Sequence, residues 1–170
     1  SIDYYVMGAS ATSVGDADVM IVAARKDRVG DMQALMSEAG MHLKVLDVAS
    51  YAAQSAAERI IENLPNAGKD AIIALVHVGA SSIYVYVMRN GEVLFEREQA
   101  FGGVQLTQHI ARLYGMTQEE AESKKIAGQL PDDYAHVVLQ PFIERVAQEI
   151  QNILQFFYNS TPHGKTDYVL

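Results

Sequence analysis

The dipeptide Asn90-Gly91 constrains the architecture of this chain more than any other pair of residues. It separates two alternating runs, Ile83 to Met88 and Glu92 to Glu98. Asn-Gly supplies the two positive φ angles of a type I′ turn, whose twist suits the strands it joins. A third run, Ile72 to Val76, is continuously apolar and precedes them, as expected of a central strand. Three strands in succession predict an antiparallel sheet. The next segments read as helices. Gly102-Gly103 leads into a helix from Val104 to Tyr114, and Thr117 with Glu120 forms a capping box for the next. After a loop through Pro131-Asp132-Asp133, a long helix is predicted from about Val137 to Tyr158. Its apolar stripe uses Phe142, Val146, Ile150, Ile153, Leu154 and Phe157. Asp167 to Leu170 reads as a further strand. The order β-β-β-α-α-α-β predicts an α/β sandwich rather than a doubly wound sheet.

Upstream, the pattern reads strand, strand, helix, strand, helix. Tyr4 to Met7 is apolar, and Val19 to Ala24 has the composition of a buried strand. Asp27 is the expected cap of a helix with a buried stripe of Val29, Met32, Leu35 and Met36, ended by Gly40. Leu43 to Val48 alternates as a strand. Ser50 opens an alanine-rich helix that ends near Leu64, with Ile60, Ile61 and Leu64 at its apolar end. Pro65 to Asp70 breaks both periodicities and is the expected internal boundary. Ser1-Ile2-Asp3 and Asp167 to Leu170 both read as cut ends, so the expectation is an internal piece of a longer protein.

Composition narrows the function. The chain has 170 residues, 49% of them apolar and 20% charged, with a net charge of -8. That is enough apolar material for one compact core or two small lobes. The acidic balance argues against nucleic acid, whose binding needs a basic footprint. No apolar run approaches the roughly 20 residues of a membrane span, so direct membrane insertion is not expected. There is no cysteine, hence neither a disulfide framework nor a thiolate metal site. The expected compartment is the cytoplasm.

Two stretches could carry chemistry. Gly79-Ala80-Ser81-Ser82, between the first two strands, offers unhindered N–H groups and two hydroxyls, an arrangement that can cradle phosphate. An ordinary tight turn uses the same residues and is commoner. Gly102-Gly103 precedes a helix N-terminus that could also face an anion. Glu122 and Lys125, three apart on one helix, reach the same side, as many solvated ion pairs do. His42, His77, His109, His136 and His163 show no metal-ligand spacing. No Ser/His/Asp arrangement is readable, so no catalytic residue and no metal ligand is assigned.

The order of these features resembles the second half of the actin-like (RNase H-like) ATPase superfamily, which includes actin, sugar kinases and the division protein FtsA. Its hairpin tip carries a phosphate motif, D-x-G-x-x-T, matched here by His77-Val78-Gly79-Ala80-Ser81-Ser82. Its later helix carries a glutamate and, three residues on, a lysine for ribose and base, matched by Glu122 and Lys125. Within the superfamily, "FGGVQLTQHIARLYGMTQEEAESKK", "LPDDY" and "QEIQNILQFFYNS" resemble the PilM family of type IV pilus assembly proteins. The stretch from Val19 to Ala52 is similar to that family's FtsA-type inserted subdomain.

The resemblance implies a β-β-β-α second lobe over 67–170, incomplete at its C-terminus. It implies part of the inserted (1C-type) subdomain over 1–48, with 49–66 returning to the first lobe. It implies phosphate contacts at Gly79, Ala80, Ser81, Ser82, Gly102 and Gly103, and ribose or adenosine contacts at Glu122 and Lys125. ATP and Mg²⁺ are the implied cofactors. The implied role is a cytoplasmic scaffold, recruited to the inner face of the inner membrane by the cytoplasmic N-terminus of PilN and linked to platform and motor proteins, with self-association. Active ATPase or FtsA-like division protein are the alternatives. One departure bears on hydrolysis: His77 stands where the motif has aspartate, and neutral imidazole is a poor partner for Mg²⁺. The resemblance also places a first phosphate loop before Ser1 and an adenosine-side glycine motif after Leu170. Weak or absent nucleotide binding by these 170 residues is therefore expected.

Overall fold

A computed structural model describes residues 1–10 and 12–170. The chain divides into two compact units, Ser1–Ala49 and Ser50–Leu170.

In the first unit, β1 (Ile2–Ala9) pairs antiparallel with β2 (Ala17–Ala23), Ile2 opposite Ala23, with an irregularity between Val6 and Gly8. Helix α1 (Lys26–Glu38) comes after them. Its exit uses Gly40 at φ 71°, where the N–H groups of Gly40 and Met41 return to the carbonyls of Ser37 and Met36 at 3.0 and 2.8 Å. Glycine is what allows that left-handed step.

Several expectations are corrected here. Arg25, not Asp27, is the N-cap; Asp27 lies in the first turn and accepts from the Arg28 N–H at 2.9 Å. Val19 to Ala23 lies in a strand that is mostly exposed, not buried, and Ala24 follows it. Val29, Met32, Leu35 and Met36 do share a side of α1, but Met32 and Leu35 remain 47% and 59% exposed. Leu43 to Val48 forms no strand. The cause is common: a two-stranded sheet and one helix cannot enclose a side chain from all directions. A further strand also needs a ladder, and the sheet here pairs only β1 with β2. Among the unit's described residues, none is buried.

The second unit opens on α2 (Ala49–Ile61) and a tight turn over Pro65–Gly68. Strands β3 (Ile73–Val78), β4 (Ile83–Arg89) and β5 (Glu92–Gln99) form the expected antiparallel meander. Asn90 and Gly91 have φ of 51° and 80°, the two positive angles of the predicted turn. Asn90 also ties the turn to Asp70, accepting from its N–H at 2.8 Å and donating to its carboxylate at 2.9 Å. Next come α3 (Gly103–Tyr114), α4 (Gln118–Ala127), a π-helical turn over Ala135–Leu139, α5 (Gln140–Ser160) and β6 (Tyr168–Val169). The last strand lies parallel to β3, giving the order β5-β4-β3-β6.

Both faces of this sheet are covered. Ala74, Ile83, Val85 and Val87 pack with Ile153 and Phe157 of α5, and Val146, Ile150 and Leu154 complete the contact. On the other face, Ile73, Tyr86 and Met88 pack with Ala53 and Ile61 of α2. A third cluster joins α3 to α4 and the π turn through Leu106, Ile110, Ala121 and Val138, with Phe142 of α5 against it. The capping box of α4 forms as predicted, with Thr117 Oγ1 accepting from the Glu120 N–H at 3.2 Å and Glu120 accepting from the Thr117 N–H at 2.9 Å. No helix among the described residues is long and apolar enough to cross a membrane.

Phe157 is wholly enclosed and its ring lies 5.6 Å from that of Phe95. Phe157→Ala is expected to cost about 3–5 kcal/mol, because the space it leaves is walled by sheet and helix and cannot collapse. Chemical denaturation monitored by circular dichroism measures that loss.

Candidate functional site

The site is built where β3 turns into β4 and where α3 begins. At the turn, the Gly79 N–H donates to the Ser82 carbonyl at 2.9 Å. The carbonyls beside it face α3: Gly79 O accepts from the Gly103 N–H at 3.1 Å and Ala80 O from the Val104 N–H at 2.7 Å. A Cβ on Gly102 would stand 2.4 Å from Gly79 O and 2.8 Å from Ala80 O, so only glycine permits this approach. The Gly102 N–H donates to Gln105 Oε1 at 2.8 Å.

The consequence for anion binding is direct. Three amides that could face a phosphate, those of Gly79, Gly103 and Val104, already have acceptors within the chain. The amides of Ala80, Ser81 and Ser82 are left without an acceptor among the described residues of this tip. The Ser82 hydroxyl is also engaged, donating to Glu98 Oε1 at 2.7 Å, and the Tyr84 hydroxyl reaches the same oxygen at 2.8 Å. These two donors hold the Glu98 carboxyl below the usual glutamate range, the Ser82 hydroxyl contributing most. The same contact raises Tyr84.

His77, Tyr84 and Glu98 form one row across three strands, His77 opposite Tyr84 and Tyr84 opposite Glu98. The His77 and Tyr84 rings lie 6.3 Å apart and tilted. His77 Nε2 lies 3.5 Å from where a Cβ on Gly79 would stand, so the imidazole leans over the tip. No cluster of three metal-ligating side chains occurs among the described residues.

Glu122 and Lys125 meet as their spacing predicts, with Lys125 Nζ 2.6 Å from Glu122 Oε2. They do not meet alone. Thr107 of α3, only 6% exposed, stands between them: Lys125 donates to its Oγ1 at 2.8 Å, and its hydroxyl faces Glu122 Oε2 at 2.5 Å. The Gly103 carbonyl is a second acceptor for that hydroxyl, at 3.1 Å. The ammonium, then the hydroxyl, draw the Glu122 carboxyl below its ordinary value. A shallow groove of about 490 Å³ lies against the triad, lined by Val104, Thr107, Gln118, Glu119, Glu122, Ser123 and Ile126. It has apolar walls and a few converging polar groups, a composition suited to a flat ring carrying hydroxyls. The fit to a nucleotide is thus uneven: the groove is open beside Thr107 and Glu122 but is not lined by Lys125, and most donors at the tip are committed elsewhere.

Sequence reasoning missed Thr107, Tyr84 and Glu98. The signal available for Thr107 was its place four residues after Gly103 on the face that Ile110 and Ala111 bury. Alternation put Tyr84 on the Ser82 side of β4, but nothing local pointed to Glu98.

Among known proteins, the model of the family described as type IV pilus assembly protein PilM matches residues 1–170. The structure is similar to one described as the PilM-PilN type IV pilus biogenesis complex, with 25% identity, a TM-score of 0.66, and coverage of 92% of this chain and 45% of that one. It is also similar to the ethanolamine utilization protein EutJ from Carboxydothermus hydrogenoformans, at 18% identity, TM-score 0.50, and coverage of 81% and 46%. A third similarity is to MreB5 of Spiroplasma citri bound to ADP, at 14% identity, TM-score 0.50, and coverage of 84% and 50%. The chain therefore spans about half the length of these proteins. The fold is the actin-like ATPase fold that they share.

Two outcomes are expected from this geometry. Gly102→Ala drives a methyl group into backbone carbonyls, and is expected to cost about 1–3 kcal/mol by forcing α3 away from the tip; thermal or chemical denaturation reads that loss. For the triad, a carboxyl titrating lower when folded stabilises above its unfolded pKa, and the contribution fades as pH falls through the folded value. Because Glu122 is 46% exposed, Glu122→Gln is expected to cost under about 1 kcal/mol at neutral pH. That difference from the wild type should shrink toward zero in denaturant titrations run near pH 3.

Proposed function

The chain belongs to the PilM family of type IV pilus assembly proteins, and on that premise we propose that it acts as a scaffold that docks the cytoplasmic N-terminal segment of PilN. The observation that carries this reading is the likeness, over 92% of the chain, to a protein described in complex with PilN. The docking surface proposed is the first unit. Its two-stranded sheet presents Tyr4 opposite Ile21, 69% and 68% exposed, and strand addition to a short sheet is a common way to hold an extended peptide. In this reading 1–48 serves as the inserted subdomain, 49–66 as the return, and 67–170 as the second lobe. PilN recruits the protein to the inner face of the inner membrane, where platform and motor proteins assemble.

Nucleotide has a secondary, structural part in this reading. Gly79, Ala80, Ser81 and Ser82, with Gly102 and Gly103 packed beneath them, form the phosphate side. Glu122 and Lys125 form the ribose and adenosine side. A hydrolase would place a hard oxygen ligand for Mg²⁺ near position 77 and a group to orient the attacking water. His77 supplies neither, which favours a scaffold over a turnover enzyme.

The test is titration of a fluorescent PilN N-terminal peptide. The protein should bind it, Ile21→Ser should weaken binding at least about tenfold by removing an apolar side chain from the contact, and His77→Ala should leave it within about twofold. Loss of peptide binding in folded His77→Ala, with Ile21→Ser unaffected, would place docking at the hairpin tip and refute the scaffold reading as stated.

A further inference from the structure

The hairpin tip presents a contradiction. Its Gly-Ala-Ser-Ser sequence is that of a phosphate turn, yet its hydroxyl already serves an anion belonging to the chain. Ser82 Oγ and Tyr84 Oη, 2.7 and 2.8 Å from one oxygen, converge on Glu98 Oε1. Two hydroxyl donors converging on one oxygen is the arrangement a phosphate oxygen would take. We propose that Glu98 is the specificity-determining residue of the tip: its carboxylate occupies, as an internal stand-in, the hydroxyl donors that a bound phosphate group would need. The inference rests on reading Gly79 to Ser82 as the phosphate side of a nucleotide site.

Three observations converge on it. A serine hydroxyl has one proton, so a phosphate oxygen can take it only if Glu98 gives it up. A phosphate that reached the Ser82 hydroxyl would also stand beside a like charge, since Glu98 Oε1 lies 2.7 Å from it. No arginine or lysine forms an ion pair with Glu98 to offset that charge among the described residues. Glu98 itself is exposed, so its replacement removes no core packing. The uncommitted donors at the tip are therefore the amides of Ala80, Ser81 and Ser82, and affinity for phosphate is set by how readily the carboxylate withdraws.

The experiment is a titration of the protein with MgATP and, separately, with inorganic triphosphate, read by amide NMR shifts at Ala80 and Ser81. Glu98→Ala should tighten binding of both by about tenfold or more, the range of one hydrogen bond to a charged group. Glu98→Gln keeps an acceptor but removes the charge, and should give a smaller gain. The triple variant Glu98→Ala/Ser82→Ala/Tyr84→Phe should keep only the gain from removing the charge, about that of Glu98→Gln, because both freed hydroxyls are then absent. Equal affinities in wild type and Glu98→Ala, or a full Glu98→Ala gain that survives loss of both hydroxyls, would overturn the role given to Glu98 while leaving the tip a phosphate site. Unchanged Ala80 and Ser81 resonances in every variant at millimolar ligand would overturn the phosphate reading and this proposal with it. A gain with MgATP but not triphosphate would also overturn it, since the effect would then arise from the base side.

Discussion

The two backbone hydrogen bonds from Gly103 and Val104 to the carbonyls of Gly79 and Ala80 tie the start of α3 to the sheet, and the candidate site depends on them. They run between two segments with no side chains in the way, because a Cβ at 102 would overlap a carbonyl oxygen. A helix normally leaves its first amides to solvent, a capping side chain or a ligand. Here the hairpin takes them. The bonds therefore fix where α3 starts and spend the donors that would otherwise make its N-terminus an anion site. Gly102-Gly103 read from sequence alone can mean either close packing or anion binding, and the amide partners show packing in use.

That anchor determines the positions of the other polar groups. Once α3 leaves the tip at a fixed place, Thr107 is one turn along it, buried and facing α4. Ile110 and Ala111, on the same side, pack on Ala121, which holds α4 so that Glu122 and Lys125 meet Thr107 rather than open solvent. The ion pair is half-exposed and contributes little stability alone. Its value is geometric, because the buried hydroxyl gives both charged side chains a common partner and a fixed orientation.

Much of the fold was legible because its signals are local. Asn90-Gly91 needs only its own φ angles, the Thr117-Glu120 box only four residues, and the α5 stripe only a helical period. Burial in the first unit was not legible. An amphipathic pattern such as Val29, Met32, Leu35 and Met36 says which side of a helix is apolar, and nothing about whether another element covers it. Leu43 to Val48 failed for a related reason, since alternation creates a strand only where a ladder partner exists. At the site, Glu122 and Lys125 could be read from spacing on one helix, while Thr107 comes from another. Glu98 was hidden by a finer effect. The turn pairs Arg89 with Glu92, and the register it sets would put Tyr84 opposite Arg97. A bulge between Val87 and Met88 shifts the register by one, so Tyr84 faces Glu98 instead. One extra residue moves every side chain beyond it to the other face, and exchanges a cation for a carboxylate beside the tip.

The two halves of the candidate nucleotide site also share one residue. The Gly103 N–H is bonded to the hairpin tip through Gly79 O, and the Gly103 carbonyl lies 3.1 Å from the hydroxyl of Thr107, which holds Glu122 and Lys125. A shift of the first turn of α3 therefore displaces both the hairpin tip and the Thr107–Glu122–Lys125 cluster, with no intervening loop to absorb it. The link runs through backbone atoms and the Thr107 hydroxyl, whose contacts to the Gly103 carbonyl, Glu122 and Lys125 oppose its turning to another rotamer. Such a junction favours a site held in one geometry. In a scaffold whose ligand serves as a structural element, that rigidity is useful; in a hydrolase that must open and close around its substrate, it would be an obstacle.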